Sequence, residues 1–218
     1  MLGVSNVQKN LVRVGAVAGL AVVAMYLVPK VLPVGSVSTY LFIYQGPLLV
    51  AAFAGLYPFL AKPTPSAAAL LGALFGIIAG ACRMLFSVVQ MTNLHYIRGY
   101  ISEADTPEAE SVWQDIFQGV FTVQNGIAYV MDFFLDWAVL LFVIVMWRHP
   151  KFGKVFSILG LFVAGSHFVM KAYAFPEPPA EAGLFDVGPL VSIWAAFVFI
   201  WVLRNLAWMD EAETSSAA

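Results

Sequence analysis

The sequence predicts an all-α, polytopic membrane helix bundle, and three observations carry that prediction. Of the 218 residues, 61% are hydrophobic and 11% charged, whereas soluble domains run about 45–50% apolar and about 25% charged. Six apolar segments have the length of a bilayer-crossing helix, roughly 20 residues for a hydrocarbon core about 30 Å thick. The stretches between them are short, so residues 1–218 read as one six-helix domain.

The six spans are 11–32, 39–61, 67–91, 112–147, 153–174 and 188–208. Lys9 and Arg13 precede the first apolar stretch as in a signal peptide. No small-residue cleavage site follows cleanly, so an uncleaved first span is expected. Pro29, Pro33 and Gly35 close it, and Lys62-Pro63-Thr64-Pro65-Ser66 divides the second span from the third. The longest loop follows the third span. Thr106-Pro107-Glu108 has the N-cap and first-turn chemistry of a helix start, so the fourth helix is expected to begin outside the bilayer and run to about Trp147. Its outer part, with Trp113 and Phe117, is expected to rest on the interface or cover a pocket. Arg148-His149-Pro150-Lys151 and Phe175-Pro176-Glu177-Pro178-Pro179 flank the fifth span. Gly46-Pro47-Leu48 and Gly188-Pro189-Leu190 each read as opening an outside-to-inside helix.

Basic residues orient the bundle. With a cytoplasmic N-terminus, the inner ends hold Lys9, Arg13, Lys62, Arg148, Lys151, Lys154 and Arg204, against Lys30, Arg98 and Lys171 outside. The positive-inside rule then places both termini in the cytoplasm. Glu103, Asp105, Glu108 and Glu110 make one outer loop acidic, and Glu177, Glu181 and Asp186 the other. Small residues recur at close-packing spacing at Gly15/Gly19, at Gly72/Gly76/Gly80 and, less regularly, at Gly160/Gly165, which lets helix backbones approach.

Charge inside a span is where function is sought. A charged group at a helix centre costs about 2.5–3.5 kcal/mol on insertion scales. On the fourth helix, Gln118, Thr122, Asn125, Tyr129, Asp132 and Asp136 follow at gaps of four and three and share one stripe. The third helix carries Gly76, Gly80, Arg83, Ser87 and Gln90 at similar gaps, and the fifth Gly160, Ala164, His167 and Lys171. The three stripes predict a polar, outward-biased interior built by helices three, four and five.

Depth refines the expectation. At 1.5 Å per residue, Arg83, Asp132 and His167 lie about 25, 22 and 21 Å from the inner ends of their helices, Asp136 about 16 Å and Lys171 about 27 Å. Arg83 is therefore expected to pair with Asp132, with His167 beside them. Asp136, lacking a depth-matched cation, is expected to titrate or stay protonated, and Lys171 to snorkel toward the interface. Such a cluster either fixes helix register or serves a ligand pocket or relay. Its number of polar groups favours the second.

Several chemistries are poorly served. The formal net charge of -2 argues against a basic nucleic-acid surface, and the lone Cys82 against a disulfide framework. His167 is the only deep histidine, which does not suit a transmembrane haem. A three-ligand zinc site from His167, Asp132 and Asp136 is disfavoured by the cations nearby, so no metal is expected. Ser87 and Ser166 lie in no nucleophile motif. Acid/base work by Asp132 or Asp136 with His167 has no signature behind it. Trp137, Phe133, Phe134, Phe168 and Tyr173 would either line an apolar pocket for a lipid-like ligand or face lipid.

The segments Gln90-Met91-Thr92-Asn93-Leu94-His95-Tyr96-Ile97-Arg98, Gln118-Gly119-Val120-Phe121, Gln124-Asn125-Gly126, Asp132-Phe133-Phe134-Leu135-Asp136, Arg148-His149-Pro150 and Phe175-Pro176 through Gly188-Pro189 together resemble uncharacterised bacterial six-span membrane proteins filed as a domain of unknown function. They cover about half the chain, mainly residues 83–190. The resemblance implies the six-span fold and a bacterial inner (plasma) membrane setting, and assigns no residue a role.

The expectation is thus a multi-pass protein that binds or transports a small or amphipathic molecule through Arg83, Ser87, Gln90, Gln118, Asn125, Tyr129, Asp132, Asp136, His167 and Lys171. No cofactor is implied beyond a lipid or other apolar ligand. The alternative is a structural or accessory subunit of a larger membrane complex, or a homo-oligomer, surrounded by membrane lipids. An intramembrane enzyme using the Asp and His groups is third.

Overall fold

The computed structural model describes residues 4–31, 37–62, 64–177, 179 and 181–210. Pro33, Gly35, Pro63 and Pro178, read above as loop punctuation, lie outside them. Every regular element among the described residues is helical: α1 (Val4–Val31), α2 (Val37–Ala61), α3 (Ala67–Thr92), a π-helical turn (Asn93–Ile97), α4 (Arg98–Ser102), α5 (Pro107–Met146), α6 (Gly153–Ala174) and α7 (Gly188–Arg204). Five stretches are long and apolar enough to cross a membrane: Asn6–Val31, Leu41–Ala61, Ala67–Ser102, Pro107–Met146 and Gly153–Ala174. This fits a multi-pass membrane protein.

The sixth expected span is shorter than its sequence suggested. α7 has 17 residues and ends at Arg204, where Asn205 Nδ2 donates to the Trp201 carbonyl at 2.8 Å and the chain turns. Proline punctuation also misled at two places. α1 runs two residues past Pro29. α2 begins at Val37, so Gly46-Pro47 lies inside it together with Pro58. A membrane helix tolerates interior proline because neighbouring helices and local adjustment re-satisfy the freed carbonyl.

The long loop after the third span proves largely helical. α3 passes through the π turn directly into α4, leaving only 103–106 as the turn. Thr106 caps α5 as expected, its Oγ1 accepting from Ala109 N at 3.2 Å. The 40 residues of α5 span about 60 Å, so even a tilt of 40° leaves about 46 Å along the normal of a roughly 30 Å core. Its outer part, residues 107–127, does not cover the cavity described below. It pairs with the α3 extension instead: Trp113 meets Tyr100 at 4.7 Å between ring centroids, and Asn93 Nδ2 donates to the Phe117 carbonyl at 3.2 Å.

The six long helices close a ring. α1 packs on α2, α2 on α3, α3 on α5, α5 on α6, α6 on α7, and α7 back on α1. Glycines set the closest approaches. A Cβ on Gly15 would lie 2.6 Å from the Gly55 Cα, so α1 and α2 touch backbone to backbone. Gly72 receives the Phe142 ring, Gly76 the Phe53 ring and Gly19 the Phe199 ring. Gly165 has nothing within 4 Å of an added Cβ and takes no part in this packing.

At one end the ring is filled. Phe59, Leu60, Phe142, Met146, Val198 and Val202 are buried there among aromatic neighbours. Both described chain ends meet at that end, where Lys9 pairs with Asp210 and Lys62 Nζ donates to the Trp208 and Met209 carbonyls. Toward the opposite end the filling gives way to a cavity.

Candidate functional site

Antiparallel packing of α5 and α6 places two pairs of residues one turn apart against each other. Asp132 and Asp136 are four residues apart on α5, and His167 and Lys171 four apart on α6. They meet as two rungs. Lys171 Nζ lies 2.6 Å from Asp132 Oδ2, and His167 Nδ1 lies 2.8 and 3.0 Å from the two oxygens of Asp136. All four are buried or nearly so, Asp136 at 1% exposure. Desolvated charges are tolerable only when paired.

This pairing corrects the sequence expectation twice. Asp132 takes Lys171, not Arg83, and Lys171 reaches inward across the depth difference on its long stem instead of snorkelling outward. Asp136 is not left alone, because His167 occupies it. Depth counted along the helix axis ignores side-chain reach, and a lysine stem spans about one helical turn.

Arg83 makes a different contact. Its Nε donates to Gln45 Oε1 on α2 at 2.8 Å, and Nη2 donates to the same oxygen. The guanidinium lies between two rings, 5.5 Å from the Phe42 centroid and 5.0 Å from Phe86. Among the described residues no carboxylate lies within ion-pair distance of it, although the Asp132 charge reaches it through space. Gln45 is 2% exposed, and its Nε2 has no hydrogen-bond partner.

These groups border a cavity of about 360 Å³ inside the ring. Every long helix contributes: Tyr26 from α1, Gln45 and Phe53 from α2, Arg83 from α3, Asp132 and Val139 from α5, His167 and Lys171 from α6, and Val191, Ser192 and Phe199 from α7. The expectation of a cavity built by three helices is therefore too narrow. At the end away from the chain termini, Lys30 meets Asp186 at 3.3 Å and sits over the Tyr26 ring. Asp186 Oδ1 also accepts from Gly188 N at 2.9 Å, anchoring the start of α7.

A second depression of about 500 Å³ runs along the outside between α5 and α6. Phe133, Phe134, Phe168 and Phe175 line it, together with Tyr129, Asp132, Asp136 and Lys171. The Lys171–Asp132 pair thus borders both the interior cavity and the lateral groove. Tyr129 completes the groove, its hydroxyl donating to the Glu177 carbonyl and its ring lying 5.3 Å from Lys171 Nζ. Trp137 packs on Phe133 and Phe168 beside the groove, whereas Tyr173 is 81% exposed and stands apart.

Four expected site residues line neither space. Ser87 is buried, but its hydroxyl donates to the Arg83 and Phe42 carbonyls. Gln90 and Asn125 are half-buried, and Gln118 is exposed on the projecting part of α5. Thr122 is exposed as well and bonds the Gln118 carbonyl at 3.0 Å. The six-residue stripe therefore faces the interior along its inner half alone, at Asp132 and Asp136, with Tyr129 and Asn125 half-buried and Gln118 and Thr122 exposed. Gln45, Tyr26, Lys30 and Asp186 were missed. Gln45 is the one polar residue in the middle of a strongly apolar α2, which was the available signal.

The serine hydroxyls near the cavity are committed to their own helices. Ser166 donates to the Phe162 carbonyl at 2.6 Å and Ser192 to the Gly188 carbonyl at 3.1 Å. Among the described residues no group of three His, Cys, Asp or Glu is arranged to hold a metal ion. His149, in the turn between α5 and α6, is buried outside the spans. Its Nε2 faces the Phe59 carbonyl at 3.2 Å, and its Nδ1 accepts from Lys151 N at 3.2 Å. Burial holds this imidazole below its ordinary pKa, opposed by the Phe59 hydrogen bond and assisted by the Lys151 charge.

No protein-family model, curated protein or solved structure matches this chain.

Proposed function

We propose that this chain is a bacterial plasma-membrane protein whose interior cavity binds or passes a small amphipathic molecule. The carrying observation is the ring of six helices around a cavity of about 360 Å³ that presents Arg83, Asp132, His167 and Lys171 to an otherwise apolar interior. A lock on helix register needs one or two polar pairs. Here two complete rungs stand beside the Arg83 guanidinium and a Gln45 amide whose N–H group has no partner among the described residues. The lateral groove supports access from the bilayer, since it shares the Lys171–Asp132 pair with the cavity.

Six spans with both termini cytoplasmic are part of the same proposal. The 17 residues of α7 reach about 26 Å, at the short limit of a spanning helix. Lys9, Arg13, Lys62, Arg148, Lys151, Lys154 and Arg204 belong to the end where Lys9 meets Asp210, against Lys30 and Arg98 at the other. That imbalance favours the first end inside. The bacterial setting rests on the sequence resemblance.

Native mass spectrometry of protein purified in mild detergent tests the proposal. A co-purifying amphiphile is expected on the wild type and depleted in a Phe53→Trp variant that fills the cavity. Protein that is empty, and stays empty when offered amphiphiles, overturns it.

The accessory-subunit reading keeps one specific support. The hairpin formed by the π turn, α4 and the start of α5 leaves Tyr96, Val112 and Ile116 exposed. The glycine face of α3 no longer argues for it, because Phe53 and Phe142 of the same chain cover Gly76 and Gly72.

A further inference from the structure

The geometry points to a carboxylate as the head group of the cavity's ligand, held by Arg83 and Gln45, with a single acyl chain on the apolar wall. This rests on the cavity being a binding site and names what it selects.

Among the described residues the charges around the cavity pair off with one exception. Lys171 is matched by Asp132, Lys30 by Asp186, and His167 contacts Asp136. Arg83 has only a neutral acceptor, Gln45 Oε1. A guanidinium cannot be deprotonated in a protein and has donors only, so the cation persists and seeks an anion. Of its five N–H groups, two go to Gln45, which leaves three for a ligand. The guanidinium stands over the Phe42 and Phe86 rings at 5.5 and 5.0 Å, and its N–H groups all lie in its plane, so bonding is left to the planar edge.

Gln45 supplies the second, independent observation. Because Arg83 can only donate, it fixes Oε1 as the acceptor and therefore turns Nε2 away from itself as a donor. That donor is buried and has no partner among the described residues, and it belongs to a residue that is 2% exposed and lines the cavity. A buried unsatisfied donor is costly, and native interiors rarely keep one without a reason. The free N–H groups of the guanidinium and the free amide N–H of its neighbour are all donors, and a carboxylate has two acceptor oxygens in a plane to match them. One negative charge also balances the one unmatched cation.

The remaining wall is apolar, with Leu49, Phe53, Val139 and Phe199 on it. A volume of about 360 Å³ lies near the lower end of small-molecule sites. It suits one chain, not the paired chains of a phospholipid.

The test compares dodecanoate, methyl dodecanoate and dodecanol on detergent-purified protein by native mass spectrometry and calorimetry. Dodecanoate is expected to bind at least tenfold tighter than the ester. Gln45→Glu gives Arg83 a carboxylate of its own, so this variant is expected to fold and to bind acid no better than ester. Gln45→Met removes the free donor without adding charge and is expected to shrink the preference severalfold. Equal binding of acid and ester by the wild type, or an acid preference that survives Gln45→Glu, overturns the head-group assignment while leaving the cavity reading intact. Failure of all three compounds to bind overturns both.

Discussion

Lys171 Nζ lies 2.6 Å from Asp132 Oδ2, one helical turn from the contact between His167 Nδ1 and Asp136 at 2.8 Å. Two i, i+4 pairs on antiparallel helices produce this ladder. Each rung removes two charged or strongly polar groups from lipid at once, and each fixes the sliding position of α5 against α6. The outer rung also lies between the lateral groove and the interior cavity, so its integrity bears on both stability and access.

Removing one member of the outer rung strands the other. Lys171→Met is expected to destabilise the protein by about 3–5 kcal/mol, because Asp132 is then a buried, uncompensated carboxylate. Adding Asp132→Leu to the same chain is expected to recover most of that loss. Thermal unfolding in detergent across the double-mutant cycle measures the coupling, and strictly additive effects would contradict the pairing.

Glycine substitutions separate packing from propensity. Gly15→Ala puts a methyl group 2.6 Å from the Gly55 Cα, where only backbone can yield. A loss of about 1–3 kcal/mol is expected. Gly165→Ala meets nothing within 4 Å and gains helix propensity, so it is expected to be neutral or stabilising by up to about 1 kcal/mol. Melting temperatures of the two variants, read side by side, check the contrast.

His149 makes the end bearing the chain termini acid-sensitive. Its folded-state pKa is depressed by burial, so the unfolded chain binds the proton more readily. The stability it contributes is complete above the unfolded value, about 6.5, and is lost as the pH falls through the lower folded value. Trp208 stands 5.1 Å from the imidazole, ring centroid to ring centroid. Tryptophan fluorescence and melting temperature are therefore expected to change together below about pH 6.5. His149→Gln keeps a donor toward Phe59 without titrating and is expected to flatten that slope. An unchanged slope in this variant would assign the acid sensitivity elsewhere.

Orientation is tested by labelling. In a Cys82→Ala background, Glu108→Cys is expected to react with a membrane-impermeant maleimide on intact cells, and Thr64→Cys only after the membrane is opened. Both positions are exposed at opposite ends of the bundle. The reverse pattern would invert the topology.

Much of the scaffold was legible because it follows from local properties. Apolar run length marked the helices, and Thr106-Pro107 marked the start of α5 to the residue. The exceptions have local causes too. Proline failed as a stop signal at Pro29 and as a start signal at Pro47, since a packed membrane helix absorbs it. The outer segment 92–102 is polar enough to read as loop, yet it is helical because Tyr100 and Asn93 pair with α5.

The site was legible as a set of residues and illegible as a set of contacts. Asp132, Asp136, His167, Lys171 and Arg83 stood out because charge in an apolar run is expensive wherever it falls. Which of them meet depended on side-chain reach and on how α5 and α6 slide past each other, and no spacing within one helix encodes that.

The sequence by itself determined that the chain is a set of long apolar helices, and that a few charged side chains on the third, fourth and fifth of them must be compensated. Hydrophobicity and helical period are properties of each segment alone, so no neighbour was needed to read them. The tertiary structure decided the compensation. Ring closure by α7 on α1 brought Tyr26 to the cavity, packing of α2 on α3 brought Gln45 to Arg83, and the antiparallel register gave Asp132 to Lys171 and Asp136 to His167. Arg83 was left beside a neutral amide, because pairing is a matter of distance between helices and only their packing sets that distance.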